Sequence, residues 1–447
     1  MIKILELRVF RHHIDITYQV GTCHFSTKIF YHDVNLDDLS ARYSPDSLRQ
    51  IFCHIALFEG LKYCSVFPAV YDLTAISDGL FPDSITLFTH TYQYAYTQNM
   101  YENNVSSYNG PEMLTHNLGI CNPITPEYQS DIVLAGNGGG KDSFLSMKIL
   151  EESGLPFSSF QWARSEYGRF EYQHKISSGL LKHLQPREIH RVSIYDDFTD
   201  GTYVKLYYPE LSGAFTLGTP ECIFEALPII LDKGYRYLCF GNEKSSDVGN
   251  FYWAEIGREV NHQWVKSYDA ETLFDSFIHN RLIRNFRYFS ILKPIYDFRI
   301  FNRIGRYPNA LPDMHSCNID KPWCKKCPKC AYVWLGYLAN FDPEAVKKVF
   351  GDTNPFDDPD LLLYYKQLLG IESHKSFECV GTVDESRFFM KKCSDKGLQG
   401  KAITIFKEEI LSKLNLNWAE IEKKYDTVDY FRHNIPDTLF TKMKEYF

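Results

Sequence analysis

Residues 131–147, DIVLAGNGGGKDSFLSM, carry an apolar strand into a glycine run that opens onto a helix expected to begin near Ser143. Glycines let backbone N–H groups converge on an anion with no Cβ in the way, and a helix start adds the positive end of its dipole. The chemistry this suggests is phosphate binding; the competing reading is a plain glycine turn between strand and helix. Two familiar loops fail on single residues. A Walker loop ending at Gly140-Lys141 requires Gly where Ala135 stands and Ser or Thr where Asp142 stands, and a dinucleotide fingerprint from Gly136 requires its third Gly where Lys141 stands.

A second cluster offers metal chemistry. Cys317, Cys324, Cys327 and Cys330 are spaced C-x6-C-x2-C-x2-C, which can close four thiolates around one tetrahedral ion. Zinc is the best candidate, because Lys325, Lys326 and Lys329 between the ligands suit the negative charge of a Zn(Cys)4 centre; iron–sulfur ligation, free thiols and a redox pair are the alternatives. Between the two motifs, residues 281–306 hold Arg281, Arg284, Arg287, Lys293, Arg299, Arg303 and Arg306 against the single acid Asp297. On a helix Arg299, Arg303 and Arg306 share one face, which either recognises an anionic substrate through paired guanidinium bonds or is simply solvated.

These groups need a scaffold to position them. Strands are expected at 132–135, 157–163, 189–194 and 235–240 and helices at 143–152, 172–184 and 220–231, the alternation of a doubly wound parallel α/β sheet. Ligands of such sheets sit beyond the carboxyl ends of the strands, so residues 136–143, 164–166 and 241–250 should share one mouth. Ahead of this domain (127–340), residues 1–126 read as a β-rich α+β domain, a candidate for substrate recognition: an antiparallel meander over 4–10, 13–20 and 23–32, a helix over 47–63, and a turn-rich linker over 99–126. Residues 341–447 read as helical, with periodic segments at 343–350 and 403–413.

The 447 residues are ample for two or three domains, and 44% hydrophobic content is ample for a packed core. A formal net charge of −8 argues against a general nucleic-acid binder. The amino-terminal residues mix charges with apolar side chains as a strand does, and no apolar run approaches the length of a membrane span, so a cytoplasmic protein acting on a small molecule, with neither a nucleic-acid nor a membrane partner, is expected. Twelve cysteines, four of them in one cluster, suit reduced thiols plus a metal.

Gly139-Gly140-Lys141-Asp142-Ser143 resembles the SGGxDS loop of the PP-loop, or N-type ATP pyrophosphatase, superfamily, with Gly138 where the leading Ser usually stands. The resemblance implies an adenine nucleotide alpha-hydrolase-like fold that binds ATP with Mg²⁺ and cuts it between the α and β phosphates. The amides of Gly138, Gly139 and Gly140 would hold the leaving phosphates, Ser143 would cap the helix and donate to a phosphate oxygen, Asp142 would hold Mg²⁺, and Lys141 would either reach a phosphate or point to solvent. Gly241-Asn242-Glu243 follows a strand in the same way; Asn242 joins the nucleotide set, and Glu243 or Asp247 either serves the metal or caps a helix.

The resemblance sharpens with GNE at 241–243, VNHQWVKS at 260–267, YFSILKP at 288–294, SCN at 316–318, WCKKCPKC at 323–330 and FECVG at 377–381, which together look like the UDP-N-acetylmuramoyl-L-alanyl-L-glutamate epimerases over about residues 130–390. That family implies an isomerase of peptidoglycan precursor synthesis that adenylates the terminal L-Glu carboxylate, inverts Cα to give D-Glu, and releases AMP and pyrophosphate. Adenylation makes chemical sense, because the α-proton of a free carboxylate is too weakly acidic to remove, whereas an acyl adenylate behaves as an activated ester. Besides Asp142, the candidate catalytic groups are Glu243, His262, Lys266, Glu378 and Cys379; a thiolate suits carbon-acid chemistry, although a single Cys is also a common buried apolar filler. Two other readings remain: a ligase, amidotransferase or thiolase of the 7-cyano-7-deazaguanine synthase type, which shares a similar cysteine cluster, and a nucleotide sensor without turnover.

Overall fold

Strand-forming segments of the chain pair into one ten-stranded sheet and a separate two-stranded hairpin in a computed structural model that describes residues 1–128 and 131–447. In chain order the strands are β1 (Ile2–Val9), β2 (His13–Val20), β3 (Cys23–Tyr31), β4 (Val70–Asp72), β5 (Glu112–Leu114), β6 (Val133–Gly136), β7 (Phe157–Arg164), β8 (Ile189–Asp196), β9 (Tyr237–Phe240), β10 (Phe251–Trp253), β11 (Arg258–Val260) and β12 (Arg287–Ser290). The large sheet runs β12-β9-β6-β7-β8-β3-β2-β1-β4-β5, and β10 pairs with β11.

Strands β12, β9, β6, β7 and β8 are mutually parallel. Successive side chains on a strand point to opposite faces, so Leu134, Leu238 and Tyr288 enter one apolar core while Val133, Ala135, Tyr237, Cys239 and Phe289 enter another. Helices Pro45–Glu59, Thr219–Lys233 and Tyr268–Phe277 fill the first core; Lys141–Glu152, Asp297–Ile304 and Pro328–Asn340 fill the second. Chain order reverses between the neighbours β6 and β9, which opens a crevice beyond their carboxyl ends, directly after Gly136 and Phe240.

The sheet crosses the boundary expected near residue 126. Strand β3 pairs antiparallel with β8, Ile29 opposite Ile194, so the meander and the parallel strands share one sheet. A buried ion cluster sits at this seam: Arg164 Nη1 donates to Glu59 Oε1 at 2.7 Å, and Lys62 bridges Glu59 at 2.7 Å and Asp196. The segment read as a linker is partly paired, since β5 extends the sheet beside β4 and Ile124 bridges Ile283. Its Asn, Gly and Pro content signals turns, and a three-residue strand is too short to show a period. The helix expected from Ser47 begins earlier, at Pro45, because Ser44 rather than a later residue caps it, its side chain accepting from the Ser47 N–H.

Beyond Phe341 the chain is helical, as its periodicity suggests. Asp342 and Asp358 cap two of these helices, and Thr382 with Glu385 forms a capping box on a third, Val383–Asp395. These helices join the core that contains the cysteine cluster and the Lys141–Glu152 helix. Among the described residues no helix is long and apolar enough to cross a membrane.

Candidate active site

The glycine loop is held from three sides. Its helix starts at Lys141, two residues before the expected Ser143. Gly139 has φ +81°, a left-handed conformation that strains any other residue, and a Cβ there would also lie 3.0 Å from Ile176 Cγ2. At Gly140 a Cβ would come within 2.9 Å of Ser316 Oγ. Asn137 accepts the Gly139 N–H at 3.0 Å while its own amide donates to Ser159 Oγ and the Ser177 carbonyl, and Ser143 Oγ accepts the Gly138 N–H at 3.0 Å. On the remaining side, His315 N–H donates to the Gly139 carbonyl at 2.7 Å and Lys141 N–H to Ser316 Oγ at 3.4 Å. Gly138 is different: a Cβ there would meet only Ser143 Oγ, at 3.9 Å, so this residue presents bare backbone to open space.

That space is a cavity of about 360 Å³ in the crevice between β6 and β9. Its lining combines Gly136, Asn137, Gly138 and Ser143 of the glycine loop, the aromatic side chains Phe160, Trp162, Tyr167, Phe215 and Phe240, Asn242 just after β9, Cys222 of the Thr219–Lys233 helix, and a polar end made by His262, Lys266, Asn318, Glu378 and Cys379. A bare glycine edge beside an aromatic wall fits the phosphates and base of a nucleotide, although the Gly138 and Gly139 amides bond internally here and Ser143 would have to release one of them.

The polar end gathers groups that are far apart in sequence. Lys266 Nζ donates to Cys379 Sγ at 2.8 Å, and His262 Nε2 lies 3.9 Å from the same sulfur. Burial would raise the Cys379 thiol, but the Lys266 ammonium, the His262 contact and Lys329 outweigh it and bring it down to about 7. In turn the sulfur and Glu243 hold the Lys266 ammonium above its ordinary range against the opposing effect of burial. His262 Nδ1 lies 2.5 Å from Gln98 Oε1, an acceptor, which turns Nε2 toward the sulfur. Glu378 Oε1 accepts from Asn318 Nδ2 and from the Cys379 N–H, both at 2.7 Å; burial opposes ionisation, yet His262 and Lys329 keep its carboxyl below the usual range. A thiolate near neutral pH beside an ammonium and an imidazole is equipped to remove a proton from carbon.

Other sequence candidates lie elsewhere. Lys141 points neither to solvent nor into the cavity: it is buried beneath the loop, bridging Asp142 and Asp297. Asp142 and Glu243 are not among the residues that line the cavity, while Asn242 lines it and donates to Tyr288 OH at 3.3 Å. Asp247 accepts from Lys293 Nζ and the Tyr268 N–H, and Asn250 binds the backbone of Lys375 and Ser376. Arg299, Arg303 and Arg306 do not line the cavity. Arg299 is engaged with Asp426 and the Phe447 carbonyl, and Arg303 with Glu152 at 3.4 Å, so the first two guanidinium groups tie helices together.

Burial first, then the surrounding Glu243, Asp142 and Glu385, lifts the Asp297 carboxyl to about 7 even though Lys141 opposes the shift. Lys141→Ala should therefore leave a buried acid without its cation and destabilise the protein by about 3–5 kcal/mol. Chemical denaturation of the variant checks this; an unchanged midpoint would remove the structural role assigned to Lys141.

The four clustered cysteines place their sulfurs within 4.8 Å of one another, with Cys317 to Cys327 at 4.0 Å and Cys324 to Cys330 at 3.7 Å. A tetrahedral zinc with bonds of about 2.3 Å requires sulfur separations of ~3.8 Å. Backbone N–H groups of Ile319, Asp320 and Cys324 point at Cys317 Sγ, and those of Lys326 and Cys330 at Cys324 and Cys327, all at 3.4 Å, as thiolate ligands require. The donor set thus fits zinc. The same loop reaches the cavity: Ser316 and His315 brace the glycine loop, Asn318 binds Glu378, and Lys329 donates to the Cys379 carbonyl. Sequence reasoning took Lys329 only for charge balance and passed over Asn318, Tyr167, Phe215 and Cys222. Adjacency to a metal ligand was the available signal for Asn318; the others carry none.

Comparison with known proteins gives two family-model matches, the MurL N-terminal domain over residues 226–291 and the MurL C-terminal domain over residues 313–420. His262 and Lys266 fall in the first segment, and the cysteine cluster, Glu378 and Cys379 in the second. Three curated proteins named UDP-N-acetyl-alpha-D-muramoyl-L-alanyl-L-glutamate epimerase are similar. The one from Salinispora tropica is 33% identical over 267 residues, 57% of this chain and 53% of that protein. The one from Micromonospora sp. is 30% identical over 287 residues (59% and 58%), and the one from Xanthomonas oryzae pv. oryzae 29% identical over 329 residues (70% and 68%). The match therefore spans little more than half the length of the first two relatives. No solved structure matches the chain.

Proposed function

This chain belongs to the MurL family, and on that premise we propose that it is an ATP-dependent epimerase that inverts the terminal L-Glu of UDP-N-acetylmuramoyl-L-alanyl-L-glutamate to D-Glu in peptidoglycan precursor synthesis. The observation that carries the reading is the Cys379 thiol, held near neutrality by Lys266 and His262, in the same cavity as the bare glycine edge. The glycine loop suits a nucleotide and the Cys379 group a carbon acid, and both line the one cavity.

ATP supplies an adenylyl group that neutralises the substrate carboxylate and acidifies Cα. In this reading Gly138, Gly139, Gly140 and Ser143 hold the departing pyrophosphate, Asp142 its Mg²⁺, and Trp162, Phe160 and Phe215 cover the base. The Cys379 thiolate removes the α-proton while Lys266 and His262 keep the sulfur ionised. Gln98 orients His262, and Asn318 and Lys329 fix the turn that carries Glu378 and Cys379. Reprotonation from the opposite face and hydrolysis give the D-epimer and AMP. The four-cysteine cluster would hold a structural zinc, and its loop braces the glycine loop through Ser316 and the Glu378–Cys379 turn through Asn318 and Lys329.

The nucleotide products test this reading. Turnover should yield AMP and pyrophosphate in equal amounts, and Asp142→Asn should lower it by at least about 100-fold by removing the metal ligand, with the fold intact by circular dichroism. ADP as the sole nucleotide product would refute the assignment.

A further inference from the structure

The cavity shared by Cys379 and the glycine loop encloses about 360 Å³, near the lower end of the roughly 300–1,000 Å³ that one drug-sized ligand occupies. On the epimerase reading above, on which this inference rests, the protein binds ATP and a nucleotide-sugar dipeptide together. The UDP end of the substrate therefore needs a second place.

A second cavity, of about 480 Å³, is joined to the first through Asn250, which lines it. Asn250 Oδ1 accepts the N–H of His262, a residue of the first cavity, at 3.0 Å, while Asn250 Nδ2 donates to the Lys375 and Ser376 carbonyls at 3.1 and 3.0 Å. Lys375 lines the second cavity and Glu378 the first, so three residues of chain separate them and their Cα atoms are at most about 11 Å apart. From its glutamyl Cα the substrate passes through alanine, the lactyl group and the sugar before it reaches the diphosphate, a span on the order of 10 Å or more. The two reaches match.

The second cavity is equipped for an anion. Lys375 is only 6% exposed, and the one hydrogen bond of its ammonium among the described residues goes to the Val248 carbonyl, at 3.5 Å. A buried cation so poorly compensated calls for a counter-charge. Burial accordingly holds the Lys375 ammonium below its ordinary range, against the pull of Glu385, Glu243 and Cys379. Arg387 and Lys424 also line the cavity and share one acid, Asp384, at 3.8 and 4.0 Å, both long for an ion pair. Arg387 Nε donates to the Leu369 carbonyl at 2.8 Å, which fixes the guanidinium and leaves its terminal nitrogens for a ligand. Three cations thus face Asp384 and the exposed Glu372.

We infer that this second cavity holds the diphosphate of the UDP-sugar while the dipeptide extends to Cys379. Lys375 contributes a point charge from beneath, Arg387 a planar pair of N–H donors, and Lys424 a cation at the exposed rim. Asn250 then ties the seat of the diphosphate to the backbone of His262.

The test uses the full chain with UDP itself as the probe. Calorimetry should show UDP binding to the parent with ATP already present, at least about 10-fold weaker binding in Lys375→Met and Arg387→Gln, and about threefold weaker binding in Lys424→Met. Lys424 is 59% exposed, so its variant keeps the measurement open if the buried Lys375→Met fails to fold. In turnover with ATP the substitutions should raise KM for UDP-N-acetylmuramoyl-L-alanyl-L-glutamate by similar factors. They should cost far less with N-acetylmuramoyl-L-alanyl-L-glutamate, which has no diphosphate to lose. Equal UDP affinity in parent and variants would overturn the inference, as would UDP competing with ATP for one site, or the same loss with both substrates. A parent that bound UDP as expected but gave no ATP-dependent inversion would instead refute the epimerase reading and leave the anion site standing.

Discussion

Cys379→Ala should slow inversion at Cα by about 10²–10⁴-fold, the usual contribution of a positioned acid or base, while AMP and pyrophosphate release continues. The separation is expected because Cys379 makes no hydrogen bond to the glycine loop, its side-chain partners being Lys266 and His262. This variant should also lose α-hydrogen exchange in the L-substrate. With the thiol brought to about 7, the thiolate forms as pH rises, so kcat/KM for inversion should increase through about pH 7 and level off above it. Lys266→Met removes the ammonium 2.8 Å from the sulfur, and the rising limb should move to higher pH. Chiral analysis of the glutamyl residue across a pH series measures both effects. Inversion undiminished in Cys379→Ala would assign the proton transfer to another group.

Loss of a cysteine ligand should be the most damaging change to stability. About one zinc per chain is expected, bound by Cys317, Cys324, Cys327 and Cys330, and the binding energy of a structural zinc, on the order of 10 kcal/mol, counts directly as folding energy. Cys317 and Cys330 are fully buried, in the core shared with the Pro328–Asn340 helix and the C-terminal helices, so an emptied site exposes that core as well as the loop. Cys330→Ser should give insoluble protein or a strongly lowered melting temperature, and a chelator should produce the same shift in the parent. Elemental analysis and thermal melting check this. A protein purified without chelator that contained no zinc and melted as Cys330→Ser does would contradict it.

What the sequence made legible follows from how local each signal is. The glycine run and the four cysteines are contiguous, so their residue types and spacing were readable before their surroundings were known. The alternation of strand and helix likewise announced a mixed α/β chain. The polar end was different: His262 and Cys379 are 117 residues apart, and each residue could be named singly while their meeting at one sulfur could not. The arginine face shows the same limit in reverse. Arg299 and Arg303 have the helical spacing of an anion site, but the acids that occupy them, Asp426 and Glu152, are 127 and 151 residues away. From the loop alone Lys141 either reaches a phosphate or points to solvent, whereas its position is decided by Asp297 beneath the loop. The pairing of β3 with β8 was equally hidden, because an antiparallel edge carries no sequence mark of which strand it joins.

The most direct measurement is solvent hydrogen capture at the glutamyl α-carbon. Incubated in D₂O with ATP, Mg²⁺ and this protein, UDP-N-acetylmuramoyl-L-alanyl-L-glutamate should return as the D-Glu epimer carrying one deuterium at Cα, and neither exchange nor inversion should occur without ATP. An ATP-dependent amide or thio product with no solvent hydrogen at Cα would contradict the account.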